Sequence, residues 1–288
     1  MKRLIKIIFL ISLAINWSAC DKISGLYKDL GNNVNGNNDT VRKVLLEDFT
    51  GHTCVNCPQA NKIGEDLLKL YGKQLIIVGV HANFFAKPIP APYDYDFRTV
   101  AGEEYYTFFG VSTNPIGMVN RVKQNNGAFL VEKGSYASEI SKLLDSLSKK
   151  PDLYISLKPT FSNSDSTMNL IADVTFLKNM PQGKYNLCVY ITENEIIKPQ
   201  KNNDPTLGTT PNILDYHHQH ALRALISPNW GDEIINGIPT NGLTISKTYL
   251  SFKLGKDWKP ADCNIVAYIY YADGPKQLQI IQAQEVKL

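Results

Sequence analysis

Past its first twenty residues the sequence has no apolar run of the roughly 20 residues that a membrane-crossing helix takes, so no internal span is expected. It has little excess of one charge: the net charge is +3 and the basic residues are scattered, so a nucleic-acid surface is not indicated. Its one Cys-x-x-Cys pair, Cys54 and Cys57, lacks a following histidine; Pro58 stands there, which excludes covalent haem attachment. Zinc is disfavoured as well, because only His52 and His81 lie nearby as further ligands. Hydrophobic content of 43% and charged content of 20% are ordinary for a globular chain. The length suits two domains of roughly 100 to 200 residues each.

The N-terminus is not ordinary. Lys2, Arg3 and Lys6 precede an apolar run over 7–15, and Ser18 and Ala19 precede Cys20. Charged, apolar, then small residues is the order of a secretory signal. A cysteine directly after the small residues marks a lipoprotein signal, so 1–19 is expected to be cleaved and Cys20 to carry the acyl chains that stable anchoring requires. Trp17 departs from the usual Leu, and the competing reading is a secreted protein with a free cysteine. Residues 20–41 read as a flexible tether, since 31–39 are almost free of apolar side chains.

Order is expected from residue 42. The apolar strand 44–49 runs into Gly51-His52-Thr53-Cys54-Val55-Asn56-Cys57-Pro58. Ile63, Leu67, Leu70 and Tyr71 then recur at helical spacing, and Gly72 supplies a stop. The run 75–80 suits a strand buried on both faces of a parallel sheet. Strand, cysteine pair, helix and parallel strand open a thioredoxin fold, with the helix expected to begin at Cys54, where free amides and the helix dipole favour a thiolate. Asp48 lies where thioredoxins carry a buried acid that moves the proton of the second cysteine. Val111-Ser112-Thr113-Asn114-Pro115-Ile116 looks like the thioredoxin segment whose proline follows a cis bond and faces the cysteines, so a cis bond before Pro115 is predicted. A helix burying Tyr136, Ile140, Leu143, Leu144 and Leu147 closes this part. The insertion 84–109, helical from about residue 103, is read as a lid or contact surface, or equally as an inert packed loop. The Trp and basic residues that usually flank thioredoxin cysteines are missing, which leaves a structural disulfide open beside an exchanging one.

Beyond Pro151 the period changes to two. Leu153, Ile155 and Leu157, then Leu170, Ala172, Val174 and Phe176, then Leu187, Val189 and Ile191 alternate with polar residues, and Leu250, Phe252 and Leu254 and Ile265, Ala267 and Ile269 repeat the pattern. Short alternating strands with turns between them predict an antiparallel β-sandwich over 151–288. The fold class is therefore α/β plus all-β: a thioredoxin-like domain over 42–150 followed by the sandwich. His217, His218 and His220 invite a metal, with His218 and His220 as weak candidates; no cysteine or acidic cluster completes a set, and hydrogen bonding or interdomain packing is the favoured reading. Cys188 and Cys263 fall in separate strands, as a disulfide or as two buried thiols.

The lipoprotein signal, Phe49 to Pro58, and Asp215-Tyr216 with His218, His220, Leu222 and Arg223 together resemble the twenty-eight-kilodalton outer-membrane lipoprotein family. The resemblance implies a thioredoxin-like domain followed by a β-sandwich, tethered to the bacterial outer membrane, and little about activity; the anchor at Cys20, other envelope proteins as partners and no cofactor are expected beside it. Two functions are then expected. One is an accessory or binding role in an outer-membrane complex. The other is thiol-disulfide exchange, with Cys54 as nucleophile, Cys57 as resolving thiol, Asp48 assisting the proton and Pro115 aligning the substrate.

Overall fold

The computed structural model describes residues 41–146 and 150–288. The expected signal 1–19, Cys20, the tether up to residue 40 and Leu147 lie outside the described residues. Two wholly buried strands come first, β1 (Val44–Thr50) and β2 (Leu75–His81). Strands apolar on both faces suit a covered parallel pair, and these run parallel from Val44 opposite Leu75 to Thr50 opposite His81. The crossover that such a pair requires is α1 (Cys57–Tyr71), which buries Ala60, Gly64 and Leu67 at helical spacing and ends at Gly72 with φ +52°.

A second helix, α2 (Val100–Phe108), begins three residues before the expected point because Thr99 caps it, its side chain accepting from Gly102 N at 3.0 Å. Strand β3 (Ile116–Val119) then returns antiparallel to β1, with Ile116 opposite Phe49. After β4 (Val131–Glu132), α3 (Tyr136–Ser146) packs Tyr136 and Ile140, both 0% exposed, against Leu46, Val119 and Val131.

The rest is β: β5 (Leu153–Ser162), β6 (Thr167–Phe176), β7 (Gly183–Glu193), β8 (Ile196–Ile197), β9 (Gln200–Lys201), β10 (Asn212–Ile213), β11 (His217–His218), β12 (Ala221–Leu225), β13 (Asp232–Gly237), β14 (Thr244–Lys253), β15 (Cys263–Tyr271) and β16 (Ile280–Lys287). Strands β5, β6 and β14 form a three-stranded antiparallel sheet. Its alternating residues Ile155, Leu170, Ala172 and Val174 share one core with Leu187, Val189, Ile191, Ile265 and Ile269 of β7 and β15. The period of two is thus realised on facing sheets. Strand β14 departs from it. A register shift between Tyr249 and Phe252 switches faces, so Leu250 is 71% exposed while Leu254 is buried.

Strands from both sides of residue 150 meet in a single mixed sheet of nine, in the order β16-β15-β7-β12-β2-β1-β3-β4 with β13 beside β7. The junction is small. Ala221 of β12 lies parallel to Gly79 of β2, and Gly79 N donates to His220 O at 2.8 Å. Arg121, 0% exposed in the turn after β3, reinforces it. Its Nε and Nη2 donate to Glu47 at 2.7 Å each, and Nη2 also donates to Tyr190 Oη of β7 at 3.0 Å. The rings of Tyr105 and Tyr268 lie 4.8 and 5.2 Å from its guanidinium carbon. The first described residues are also tied to the last strand. Gln282 donates to Val41 O at 2.9 Å and accepts from Lys43 N at 3.0 Å, and Arg42 pairs with Asp152 at 3.0 Å.

Candidate functional site

The chain leaves β1 at Thr50 and carries both cysteines in the next turn. They form a disulfide, with Cα atoms 5.5 Å apart. The helix begins at Cys57 rather than at Cys54 as expected. In an α-helix Cys54 O would accept from the amide of residue 58, and Pro58 has none. Cys57 N bonds Cys54 O instead, at 3.3 Å, and Pro58 occupies the first turn of α1, where a missing N–H costs nothing.

The cysteine turn is covered from two sides. Phe85 O accepts from Thr53 N and from Thr53 Oγ1, both at 3.0 Å. Gly51 permits this approach, since a Cβ there would stand 2.4 Å from the Phe85 carbonyl. On the other side lies the stretch from Gln200 to Asp204. Gln200, 0% exposed, donates from Nε2 to Cys54 O at 2.9 Å and Gly51 O at 3.2 Å. Lys201 N donates to His52 O at 2.8 Å and Asn203 N to Val55 O at 3.2 Å, so the stretch lies along the turn like an added strand. Cys54 is left 2% exposed and Cys57 0%.

In β1, Asp48 is 4% exposed, and Tyr136 Oη donates to its Oδ1 at 2.6 Å. Burial pushes its carboxyl up to about 7, against the opposing pull of the Tyr136 hydroxyl and the charge of Lys133. Gly117 makes the contact with Tyr136 feasible, because a Cβ there would lie 2.7 Å from the Tyr136 hydroxyl. The Asn114–Pro115 peptide is cis. Pro115 immediately precedes β3, whose Ile116 pairs with Phe49, so it stands at the sheet end from which the cysteine turn departs. Asn114 Nδ2 anchors that end by donating to Thr50 O at 3.0 Å.

The three histidines do not converge. His217 faces outward and pairs with Glu195. His220 reaches α1, its Nε2 3.3 Å from Glu65. His218, 1% exposed, packs on Phe97 at 4.5 Å and on His81 at 5.4 Å between ring centroids. His52 joins the same aromatic cluster, 5.4 Å from Phe97. Burial lowers His52 to about 4 and His218 to about 3, and holds His81 well below its usual value. Among the described residues no group of three or more His, Cys, Asp and Glu is placed to hold a metal. Cys188 and Cys263 are free and buried, and burial raises their thiols to about 11 and about 12. Sequence reasoning missed Gln200 and Phe97 altogether, and treated Tyr136 only as a core residue of its helix.

The profile of the family described as outer membrane protein Omp28 matches residues 102–288. The chain belongs to the Omp28 family. The outer membrane is accordingly its location, and the described residues form a mostly β fold with a mixed sheet and few helices. No curated protein matches it. Among solved structures, HBP35 of Porphyromonas gingivalis is similar at 19% identity and TM-score 0.63, over 86% of this chain and 76% of that one. A protein of Agrobacterium tumefaciens is similar at 13% identity and TM-score 0.50, over 85% of this chain and 94% of that one. A domain of the outer membrane lipoprotein Omp28 from Porphyromonas gingivalis matches 48% of this chain and 88% of its own at 16% identity and TM-score 0.30. The span matched to the Omp28 family begins after the cysteine turn, so membership leaves the chemistry of Cys54 and Cys57 to be argued from their surroundings.

Proposed function

We propose that this Omp28-family chain is an accessory or binding component of an outer-membrane complex, held to the membrane by acyl chains on Cys20, with Cys54–Cys57 acting as a structural staple. In this reading a thioredoxin-like unit over 42–150 and a β-sandwich over 151–288 are fused through the β2–β12 junction, and other envelope proteins are the partners. The observation that carries it is the covered disulfide. Exchange requires an incoming thiolate to reach a sulfur, whereas Cys54 is 2% exposed beneath Gln200 and Thr53 is bonded to Phe85.

A second reading, thiol-disulfide exchange, is favoured by Asp48, which is buried with Tyr136 and raised to about 7. That is a suitable value for taking up and releasing a proton near neutrality. In it the Cys54 thiolate attacks one sulfur of a substrate disulfide and releases the first substrate thiolate. Cys57, deprotonated with the help of Asp48, then attacks the Cys54 sulfur and frees the second thiolate, leaving the protein oxidised; Pro115 aligns the substrate backbone.

The readings separate under a mild thiol. On treatment of the folded protein with low-millimolar dithiothreitol, Cys54 and Cys57 are expected to stay oxidised until denaturant is added. Complete reduction within minutes, together with capture of envelope proteins on Cys54 in a Cys57→Ser variant, overturns the staple in favour of exchange.

A further inference from the structure

A cavity of about 260 Å3 lies between α1 and the β1–β2 pair, with Asp48 in its wall. Small residues line it, Ala60 and Gly64 on α1 and Gly79 on β2, together with Tyr216 and Gln219. Leu46 and Ile77 give it an apolar floor. Its size suits a small metabolite rather than a peptide.

The charges on its wall are unbalanced. Asp48 and Glu65 both line it. Among the described residues Asp48 has a hydrogen bond on one oxygen only, from Tyr136. Glu65 has His220 at 3.3 Å. The one lysine on the wall, Lys62, has its Nζ held by Asp66 on the exposed side of the helix. His217 and Gln219 are engaged with Glu195 outside the cavity. An anionic guest would meet two carboxylates and no free cation. A wholly apolar guest would leave an Asp48 oxygen dry and unpaired, which costs about 1–3 kcal/mol or more. A cation bearing N–H donors meets neither objection.

We propose that this cavity binds a small organic amine, its ammonium group against the Asp48 carboxylate and its short apolar body along Leu46 and Ile77. Binding of this kind requires Asp48 ionised, so it strengthens as pH rises through about 7. Among the described residues the other titratable groups that act on these two carboxylates are Tyr136, Lys133 and Tyr216 at Asp48, and His220, Asp66, Lys69 and Tyr216 at Glu65. The proposal concerns the oxidised protein and stands whether or not the disulfide exchanges.

Isothermal titration of the oxidised protein with cyclohexylamine, cyclohexanol and cyclohexanecarboxylate tests it. Cyclohexylamine, protonated throughout, is expected to saturate one site at pH 8.5. Its affinity should fall at least tenfold at pH 5.5, in Asp48→Asn, and in Ala60→Leu, which fills the cavity. The alcohol and the carboxylate should not saturate. Amine affinity unchanged in a natively folded Ala60→Leu or Asp48→Asn protein, equal binding of the alcohol or carboxylate, or no saturation by any of the three overturns the proposal. Ala60→Leu keeps the test decisive if Asp48→Asn does not fold.

Discussion

Tyr136 gives Asp48 one hydrogen bond, and with 4% exposure little water reaches the carboxylate. Its pKa rises from 3.8 to about 7, so the folded protein holds this proton more tightly than the unfolded chain does. The sign follows directly: the stabilising contribution is complete below pH 3.8 and is lost as pH rises through about 7. Asp48→Asn is therefore expected to match the parent in urea unfolding at pH 4 and to exceed it at pH 8.5 by on the order of 4 kcal/mol. An equal increment at both pH values would locate the effect in packing instead. The histidine cluster works in the other direction. His52 at about 4 and His218 at about 3 lie below 6.5, so stability is present above pH 6.5 and is lost as pH falls toward those values. Asp48 was legible in the sequence because its position relative to the cysteines is local. Its hydroxyl partner was not, since Tyr136 lies 88 residues away.

Local patterns predicted most of the elements. Apolar runs give β1 and β2, 3.6-residue spacing gives α1 and α3, and alternation gives β5, β6, β7 and β15. Three details differ: Pro58 delays α1 to Cys57, the Thr99 cap starts α2 at Val100, and the irregularity after Tyr249 turns Leu250 outward. The stretch from Gln200 to Asp204 was opaque. It has no periodicity, and its partners lie far away in sequence, 146 residues for the bond from Gln200 to Cys54 O. Gln200→Ala should cost about 1 kcal/mol, because the Gly51 and Cys54 carbonyls each lose one of their two donors. It should also raise the rate of dithiothreitol reduction at least tenfold, read by thiol labelling against time. An unchanged rate would mean that some other element closes the turn.

At the scale of the whole molecule, 42–150 and 151–288 share one sheet, and the Glu47–Arg121 pair extends to Tyr190 on the far side of the junction. Urea unfolding should therefore proceed in one cooperative step by both fluorescence and circular dichroism. Residues 42–150 expressed alone should show no cooperative transition, because Gly79 N loses its acceptor and the buried ion pair loses its hydroxyl partner. Two separate steps, or a folded 42–150, would establish independent units. No period or motif announces this fusion, in which a single β2–β12 ladder pair is joined by the Glu47–Arg121–Tyr190 contacts and by the ties of Val41 and Lys43 to Gln282. Mechanical load is a separate matter. Val41, Arg42 and Lys43 are fastened to Gln282, Ile281 and Asp152. Tension entering at residue 41 is thus shared at once with the final strand, and this seam must tear before any strand of the interior can be drawn out.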